Sequence, residues 1–109
     1  MLEVMVNGCY GKMGQIVCDL IEQNENLVLK CGFDKNITGE FAFPVYDKIE
    51  NIVEKPDVII DFSIPVATLT ILQYAVSNHV PIVIATTGFT NEEELIIKEA
   101  SKKIPIFKK

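Results

Sequence analysis

Residues 4–17 read VMVNGCYGKMGQIV and connect an apolar run to a helix-like pattern through three evenly spaced glycines, Gly8, Gly11 and Gly14. The apolar residues before Gly8 predict a strand. The apolar residues after Lys12 recur at the spacing of a helix that packs on a sheet. A strand that turns through glycines directly into a helix is typical of nucleotide-binding α/β proteins, although the spacing here is G-x-x-G-x-x-G rather than the commoner G-x-G-x-x-G.

Strand and helix patterns alternate along the rest of the chain. Predicted strands are 2–7, 25–33, a weak one at 44–46, 57–63, 81–88 and 104–108; predicted helices are 12–23, 65–78 and 91–103, with a short helix-like piece at 47–53. Asn91 is the predicted N-cap of the last helix, with Glu94 at N3. The predicted buried stripe of the first helix is Met13, Ile16, Val17, Leu20 and Ile21. The alternation predicts one α/β domain over residues 1–109, a Rossmann-type doubly wound and mainly parallel sheet with helices on both faces.

Composition narrows the classes of partner. The 109 residues include 49% hydrophobic and 23% charged residues, and the net charge of -5 argues against nucleic acid or an anionic membrane as a partner. The three cysteines, Cys9, Cys18 and Cys31, form no C-x-x-C pair, which favours a reducing, cytoplasmic setting. No apolar run approaches the roughly 20 residues of a membrane span, and the first residues lack the basic region of a signal peptide.

The Gly11-Lys12 pair suggests a P-loop, but the surrounding residues exclude it. The P-loop pattern is G-x-x-x-x-G-K-[ST], whose last hydroxyl holds Mg²⁺. Here only Cys9 and Tyr10 separate Gly8 from Gly11, and Met13 stands where the hydroxyl residue is required.

A dinucleotide site gives each glycine a physical role. Gly8 allows a sharp turn at the strand end, Gly11 lets the backbone approach a pyrophosphate, and Gly14 lets the helix lie close to the strand. The pyrophosphate would then face the free N–H groups of the helix N-terminus, with Lys12 adding a mobile positive charge. The alternative is that the glycines only make a tight turn.

An acid follows the second predicted strand at the spacing that this site requires. Asp34 lies 20 residues beyond Gly14 (34 minus 14), where a carboxylate accepts hydrogen bonds from the adenosine ribose. Lys35 could accommodate the 2′-phosphate of NADP, so the pair predicts that both NADH and NADPH are accepted. The alternative is that Asp34 is a solvated loop residue.

Two further loops follow predicted parallel strands, at the edge where such sheets bind ligands. In DFSIP (61–65), Phe62 offers a flat apolar face and Ser63 a hydroxyl; in ATTGF (85–89), Thr86 and Thr87 offer hydroxyls before the turn at Gly88. Together these loops could hold a nicotinamide and its carboxamide. The alternative is that Phe62 and Phe89 are core residues and the threonines cap strand ends.

The segments GCYGKMG, DFSIP and ATTGF, in this order and separation, resemble the N-terminal domain of the dihydrodipicolinate reductase (4-hydroxy-tetrahydrodipicolinate reductase) family. That family carries a G-x-x-G-[RK]-M-G turn, a D-F-[ST]-x-P loop and a G-T-T-G-F loop. The resemblance covers essentially the whole chain, and the three motifs together are far more specific than any one of them. Ala85 is a departure, because the family usually has glycine there.

The resemblance implies an NADH- or NADPH-dependent reductase of the diaminopimelate route to lysine. It implies that Asp34 and Lys35 hold the adenosine ribose, and that Thr87 also touches substrate. The cofactor-binding residues that it implies are Gly8, Cys9, Tyr10, Gly11, Lys12, Met13, Asp34, Lys35, Phe62, Ser63, Ala85, Thr86 and Thr87.

The family's second domain carries a His-His pair, a lysine and a glycine-rich segment that bind a dicarboxylate substrate and supply the proton, and this chain contains none of them. The chain is therefore predicted to be a fragment with no catalytic residue and no metal site, which binds the cofactor with little or no turnover. The resemblance implies that the full-length protein is a homotetramer. His79, the single histidine, is predicted to be a surface residue. Two alternatives remain, the cofactor domain of an aspartate or homoserine dehydrogenase and a non-enzymatic NADH sensor.

Overall fold

A computed structural model describes residues 1–37, 39 and 42–109. Its elements are β1 (Leu2–Asn7), α1 (Lys12–Glu22), β2 (Leu27–Phe33), β3 (Val45–Tyr46), a single 3₁₀ turn (Ile49–Asn51), β4 (Val58–Asp61), α2 (Pro65–Asn78), β5 (Ile82–Ile84), α3 (Asn91–Ala100) and β6 (Ile106–Lys108). The strands form one sheet in the order β3-β2-β1-β4-β5-β6, and every neighbouring pair is parallel. The predicted Rossmann-type fold is confirmed.

Strand β1 lies at the centre and is covered on both faces. Val4, Met5 and Val6 are fully buried, but they belong to two different cores because successive strand side chains point to opposite faces. Val4 and Val6 pack with residues of α1, and Met5 packs with residues of α2 and α3. The helices therefore lie on both faces of the sheet, as predicted.

Helix α1 buries only part of the predicted stripe. Its buried residues are Gly14, Cys18 and Ile21, with Val17 half-buried. Met13, Ile16 and Leu20 are 50%, 44% and 60% exposed, so the predicted stripe is wrong at these three positions. The reason is close packing at Gly14, where an added Cβ would lie 1.9 Å from the carbonyl oxygen of Gly8. The helix turns Gly14 and Cys18 toward the sheet together with Ile21. This leaves Met13, Ile16 and Leu20 outside.

The start and the end of α3 also differ from the prediction. The N-cap is Thr90 rather than Asn91: Thr90 Oγ1 accepts from the N–H of Glu93 (3.1 Å), and the N–H of Thr90 donates to Glu93 Oε1 (2.8 Å). The sequence TNEEE places two capping patterns one residue apart, and the extended backbone of Thr90 selects the earlier one. The helix ends at Ala100 and not near Lys103.

The order in which strands are added to the sheet reverses at β1, although all the strands run parallel. The β1–α1–β2 connection extends the sheet toward β3, whereas β4 pairs with the other side of β1. A crevice forms beyond the carboxyl ends of the strands at such a reversal. This topology brings the glycine turn after β1 and the loop after β4 to the same edge. None of the helices in the described ranges is long and apolar enough to cross a bilayer.

Replacing His79 with glycine is expected to raise the free energy of unfolding by about 0.5–1 kcal/mol. His79 is exposed and ends α2 with φ 56°, a left-handed conformation that costs free energy for any residue with a Cβ. Urea denaturation of the full-length protein measures the change. Asn78→Gly is the matched control, because Asn78 lies inside the helix and glycine there should destabilise. A fall in stability for His79→Gly would contradict the assignment of its strain.

Candidate functional site

A cleft of about 370 Å³ opens at the carboxyl edge of the sheet. Six predicted cofactor-binding residues line it: Gly8, Gly11, Asp34, Lys35, Phe62 and Ser63. Residues that the sequence interpretation missed also line it: Asn7, Phe33, Asn36, Asp47, Ile64, Val66, Ala67 and Thr70. Their position in the sequence could have identified some of them. Asn7 and Phe33 end strands, and Val66, Ala67 and Thr70 follow the DFSIP loop on the first turns of α2. The cleft therefore joins two of the three predicted loops.

The turn after β1 requires glycine at Gly8. Its φ is 85°, and an added Cβ would lie 2.0 Å from the carbonyl oxygen of Phe62. The N–H of Gly8 donates to the carbonyl of Phe33 (2.8 Å), and the N–H of Gly11 donates to the carbonyl of Gly8 (3.0 Å). The turn is thus attached to the ends of β2 and β4, the two strands that flank β1.

The N-terminus of α1 has the features of an anion site. Its N-cap is Gly11, no side chain in the described part of the chain caps it, and its first turn contains no acidic residue. By contrast, α3 has a complete capping box and three glutamates in its first turn. The first N–H groups of a helix have no intrahelical partner, and together with the helix dipole they attract negative charge. Lys12 and Met13 contribute backbone N–H groups here, but their exposed side chains do not line the cleft.

Asp34 bridges the end of β2 and the glycine turn. Its Oδ2 accepts from the N–H of Tyr10 (2.9 Å) and its Oδ1 accepts from the N–H of Asn36 (3.0 Å). The contact with Tyr10 excludes the alternative of a merely solvated loop residue, and it commits the Tyr10 N–H to the protein. A carboxylate has about four acceptor positions, so Asp34 can accept further hydrogen bonds in the cleft beside exposed Lys35.

The side chain of Cys9 points into the core rather than into the cleft. It is fully buried among the residues packed on α1, and an added Cβ on Gly32 would lie 2.7 Å from its Sγ. Burial raises the pKa of the Cys9 thiol to about 12, which opposes the activation that a helix N-terminus can give a thiol. Cys9 can therefore meet a cofactor only through its backbone.

Cys9 is expected to resist alkylation by iodoacetamide at pH 8 in the native full-length protein. Burial raises the pKa values of Cys9, Cys18 and Cys31 to about 12, 11 and 12, from the ordinary value of 9.0. Above pH 9 the unfolded chain loses these thiol protons, whereas the native state retains them. The contribution of the three thiols to the free energy of unfolding is therefore complete below pH 9 and is lost as the pH rises to about 12. Peptide mapping should find labelling only after unfolding in guanidinium; rapid native labelling at pH 8 would contradict this.

The loop after β5 meets the cleft only indirectly. Phe62 is half-buried and lines the cleft, whereas Phe89 packs partly against the core, with Lys108 Nζ 5.4 Å from its ring centroid. Thr86 is buried, and its hydroxyl donates to Asp61 Oδ2 (2.9 Å) and accepts from the N–H of Ser63 (2.9 Å). Ala85 and exposed Thr87 are not among the lining residues, so the roles of Ala85, Thr86 and Thr87 stay predictions.

Among the residues that the structure describes, no three His, Cys, Asp or Glu side chains are grouped where they could hold a metal ion. The carboxylates at the cleft, Asp34 and Asp47, therefore have no third ligand of these types beside them.

The parallel sheet, the crevice where the strand order reverses and the uncapped N-terminus of α1 define a Rossmann-type, nucleotide-binding class of domain. The family model described as "Dihydrodipicolinate reductase, N-terminus" matches residues 2–109. This chain belongs to that family, and the predicted resemblance is confirmed.

Named relatives agree with the family. The chain is 42% identical over 108 residues to the 4-hydroxy-tetrahydrodipicolinate reductase of Caldanaerobacter subterraneus subsp. tengcongensis. The aligned region covers 99% of this chain and 43% of that protein. The dipicolinate-bound dihydrodipicolinate reductase from Paenisporosarcina sp. TG-14 superposes with a TM-score of 0.77 at 29% identity, over 93% of this chain and 43% of the other. An S. aureus homoserine dehydrogenase has the same TM-score of 0.77 at 14% identity, over 99% of this chain and 32% of the other, and shares the fold alone. The chain spans less than half the length of the curated relatives that it matches.

Proposed function

We propose that this chain is the NADH- or NADPH-binding domain of a reductase that converts 4-hydroxy-tetrahydrodipicolinate to tetrahydrodipicolinate, in diaminopimelate and lysine biosynthesis. The observation that carries the proposal is the cleft that joins the uncapped N-terminus of α1 to Asp34, in a chain of this family. The names of the relatives support the substrate class.

The glycine turn fits the pyrophosphate of such a cofactor. Gly8 cannot carry a Cβ and Gly11 presents none, so the backbone is open to close approach. The N–H groups of the first turn of α1 would bind the pyrophosphate oxygens, and exposed Lys12 adds a positive charge at the rim. Cys9 and Met13 would contribute through the backbone of the same turn, whereas Tyr10 would support it by donating its N–H to Asp34.

The adenosine ribose would lie at Asp34 and Lys35. The carboxylate retains acceptor positions for the ribose hydroxyls of NADH, and the ammonium of Lys35 could pair with the 2′-phosphate of NADPH. We therefore propose that both cofactors are accepted.

Phe62 and Ser63 would flank the nicotinamide, with Ala85, Thr86 and Thr87 near its carboxamide and Thr87 also in contact with substrate. When bound, the reduced nicotinamide supplies the hydride. The residues of this chain would bind the cofactor, orient it and cover one side of it. The apolar side chains of Phe62, Ile64 and Val66 line that side and would exclude water from it once the cofactor is bound.

No proton donor is assigned within these 109 residues. His79, the single histidine, ends α2, and a helix that begins at the carboxyl edge of a parallel sheet ends near the opposite edge. We propose that the ligands of a dicarboxylate substrate and its proton donor lie in the remainder of a cytoplasmic, homotetrameric full-length protein.

Titration of the full-length protein with NADH and with NADPH, followed by the change in nicotinamide fluorescence, tests the cofactor assignment. Oxidation of each cofactor is then measured with 4-hydroxy-tetrahydrodipicolinate and, in separate reactions, with aspartate semialdehyde. The second substrate tests the alternative of a homoserine dehydrogenase. We expect saturable binding of both cofactors and turnover with the cyclic substrate alone. Absence of binding, or turnover with aspartate semialdehyde instead, would refute the proposal.

A further inference from the structure

We infer that Asp61 is a positioning residue, whose buried carboxylate holds the loops after β4 and β5 in the arrangement that receives the nicotinamide end of the cofactor. The inference rests on the proposed function, because it concerns the same site. Asp61 is the last residue of β4, its side chain is fully buried, and it does not line the cleft itself.

Four side chains donate to this one carboxylate. Oδ1 accepts from Asn7 Nδ2 (2.9 Å) and from the hydroxyl of Ser63 (2.6 Å). Oδ2 accepts from the hydroxyls of Thr68 (2.6 Å) and Thr86 (2.9 Å). A carboxylate provides about four acceptor positions and an amide or hydroxyl provides fewer, so among neutral and charged side chains of this size only an acid satisfies all four donors.

The donors come from separate elements of the site. Asn7 ends β1 and directly precedes the glycine turn, Thr68 lies on α2, and Thr86 follows β5. The backbone repeats the connection, because the N–H of Ala85 donates to the carbonyl of Asp61 (3.0 Å). The ends of three parallel strands are thus joined at one buried charge beneath the cleft.

This charge has no ion pair among the described residues, whose three salt bridges all lie elsewhere. Burying an unpaired carboxylate costs free energy that an apolar side chain would not cost, so stability alone is a weak reason for an acid at this position. Its specific effect is to fix the directions of the hydroxyls around it.

Those hydroxyls include the two that the sequence assigns to the nicotinamide. Ser63 and Thr86 both direct their hydroxyl protons to Asp61, and the N–H of Ser63 donates to Thr86 Oγ1. The protons of these two hydroxyls are therefore not available to the nicotinamide, and the two residues act first by locking the loops together. The adjoining backbone and Thr87 would supply the remaining donors to the ring and its carboxamide. The ribose end depends on a different carboxylate, Asp34.

The test separates the two ends of the cofactor by calorimetric titration of the full-length protein with NADH and with ADP-ribose, which lacks the nicotinamide. The readout is the ratio of the two dissociation constants, Kd for ADP-ribose divided by Kd for NADH. Asp61→Asn and Thr86→Val should each lower this ratio on the order of tenfold, because displaced loops would lose about one hydrogen bond to the nicotinamide end and tenfold in affinity corresponds to about 1.4 kcal/mol. The affinity for ADP-ribose should change less than threefold, which in free energy is about half of a tenfold change or less.

Thr86→Ser, which keeps the hydroxyl, should retain the wild-type ratio. Thr86→Val also keeps the inference testable if Asp61→Asn does not fold. An unchanged ratio in a folded variant, or parallel loss of NADH and ADP-ribose affinity, would overturn the positioning role. Wild-type protein that binds neither ligand would instead refute the proposed function, so the two failures are distinguishable.

Discussion

Replacing Gly14 with alanine is expected to lower the free energy of unfolding by about 3 kcal/mol or more, at the upper end of the cost of overpacking a tight contact. The added Cβ would lie 1.9 Å from the carbonyl oxygen and 2.7 Å from the carbonyl carbon of Gly8. Both are backbone atoms, so neither can rotate away as a side chain does. The helix must move off the sheet, and a domain of this size has only about 5–15 kcal/mol of stability.

Gly11→Ala is the matched control, one helical turn earlier on the same segment. Its Cβ would have one contact, at 3.2 Å from the carbonyl oxygen of Gly8, and the φ of Gly11 is -67°. Its stability should therefore stay within about 1 kcal/mol of wild type. Its affinity for NADH should nevertheless fall, because the new methyl group would stand in the cleft where we propose that the pyrophosphate binds.

Urea denaturation of the full-length protein gives the free energies of unfolding, and calorimetry gives the NADH dissociation constants. The two glycines should separate: Gly14→Ala loses stability first, whereas Gly11→Ala loses affinity in a folded protein. Equal stability of the two variants would show that the close approach of α1 to the turn is not what requires glycine at Gly14.

Replacing Asp34 with alanine is expected to weaken NADH binding about tenfold, because a hydrogen bond to a charged group contributes about 1.5–3 kcal/mol and 1.4 kcal/mol corresponds to tenfold in affinity. The carboxylate lines the cleft and is fixed by the N–H groups of Tyr10 and Asn36. Binding of NADPH should weaken less or improve, because removing the negative charge leaves Lys35 free to pair with the 2′-phosphate. The preference should therefore shift toward NADPH, as measured by fluorescence titration with both cofactors.

Asp47→Ala is the control for charge alone. Asp47 is an exposed carboxylate that lines the same cleft. Its removal should change the affinities for NADH and NADPH by less than threefold, a small part of the effect of one charged hydrogen bond. Equal weakening of both cofactors by Asp34→Ala would indicate collapse of the glycine turn and would contradict the ribose assignment.

The fold was predictable because its signals are local. The order of strand, glycine turn, helix, strand and acid lies within residues 2–34, and α2 has the predicted bounds, Pro65–Asn78. Strand ends were less accurate: the strand predicted at 81–88 is Ile82–Ile84. The ladder extends only as far as a neighbouring strand offers partners, and periodicity in one segment contains no information about the neighbour.

The lining of the cleft was predicted in part for the same reason. Gly8, Asp34 and Phe62 could be assigned because each follows directly on a strand, and the carboxyl ends of parallel strands meet at one edge. The lining residues on α2, namely Val66, Ala67 and Thr70, were missed, because only the docking of α2 against the sheet brings them to the cleft.

The sequence by itself determined the family, the parallel α/β architecture and the position of the glycine turn, since these depend on residue types at short separations. Only the tertiary structure decided which face α1 buries, because a single close contact, Gly14 against Gly8, outweighs the apolar stripe. The tertiary structure also decided the surroundings of Asp61, whose partners Asn7 and Thr86 lie 54 and 25 residues away. In the sequence Asp61 only closes a strand, and its four hydrogen bonds exist because the ends of β1, β4 and β5 converge on a site closed to water.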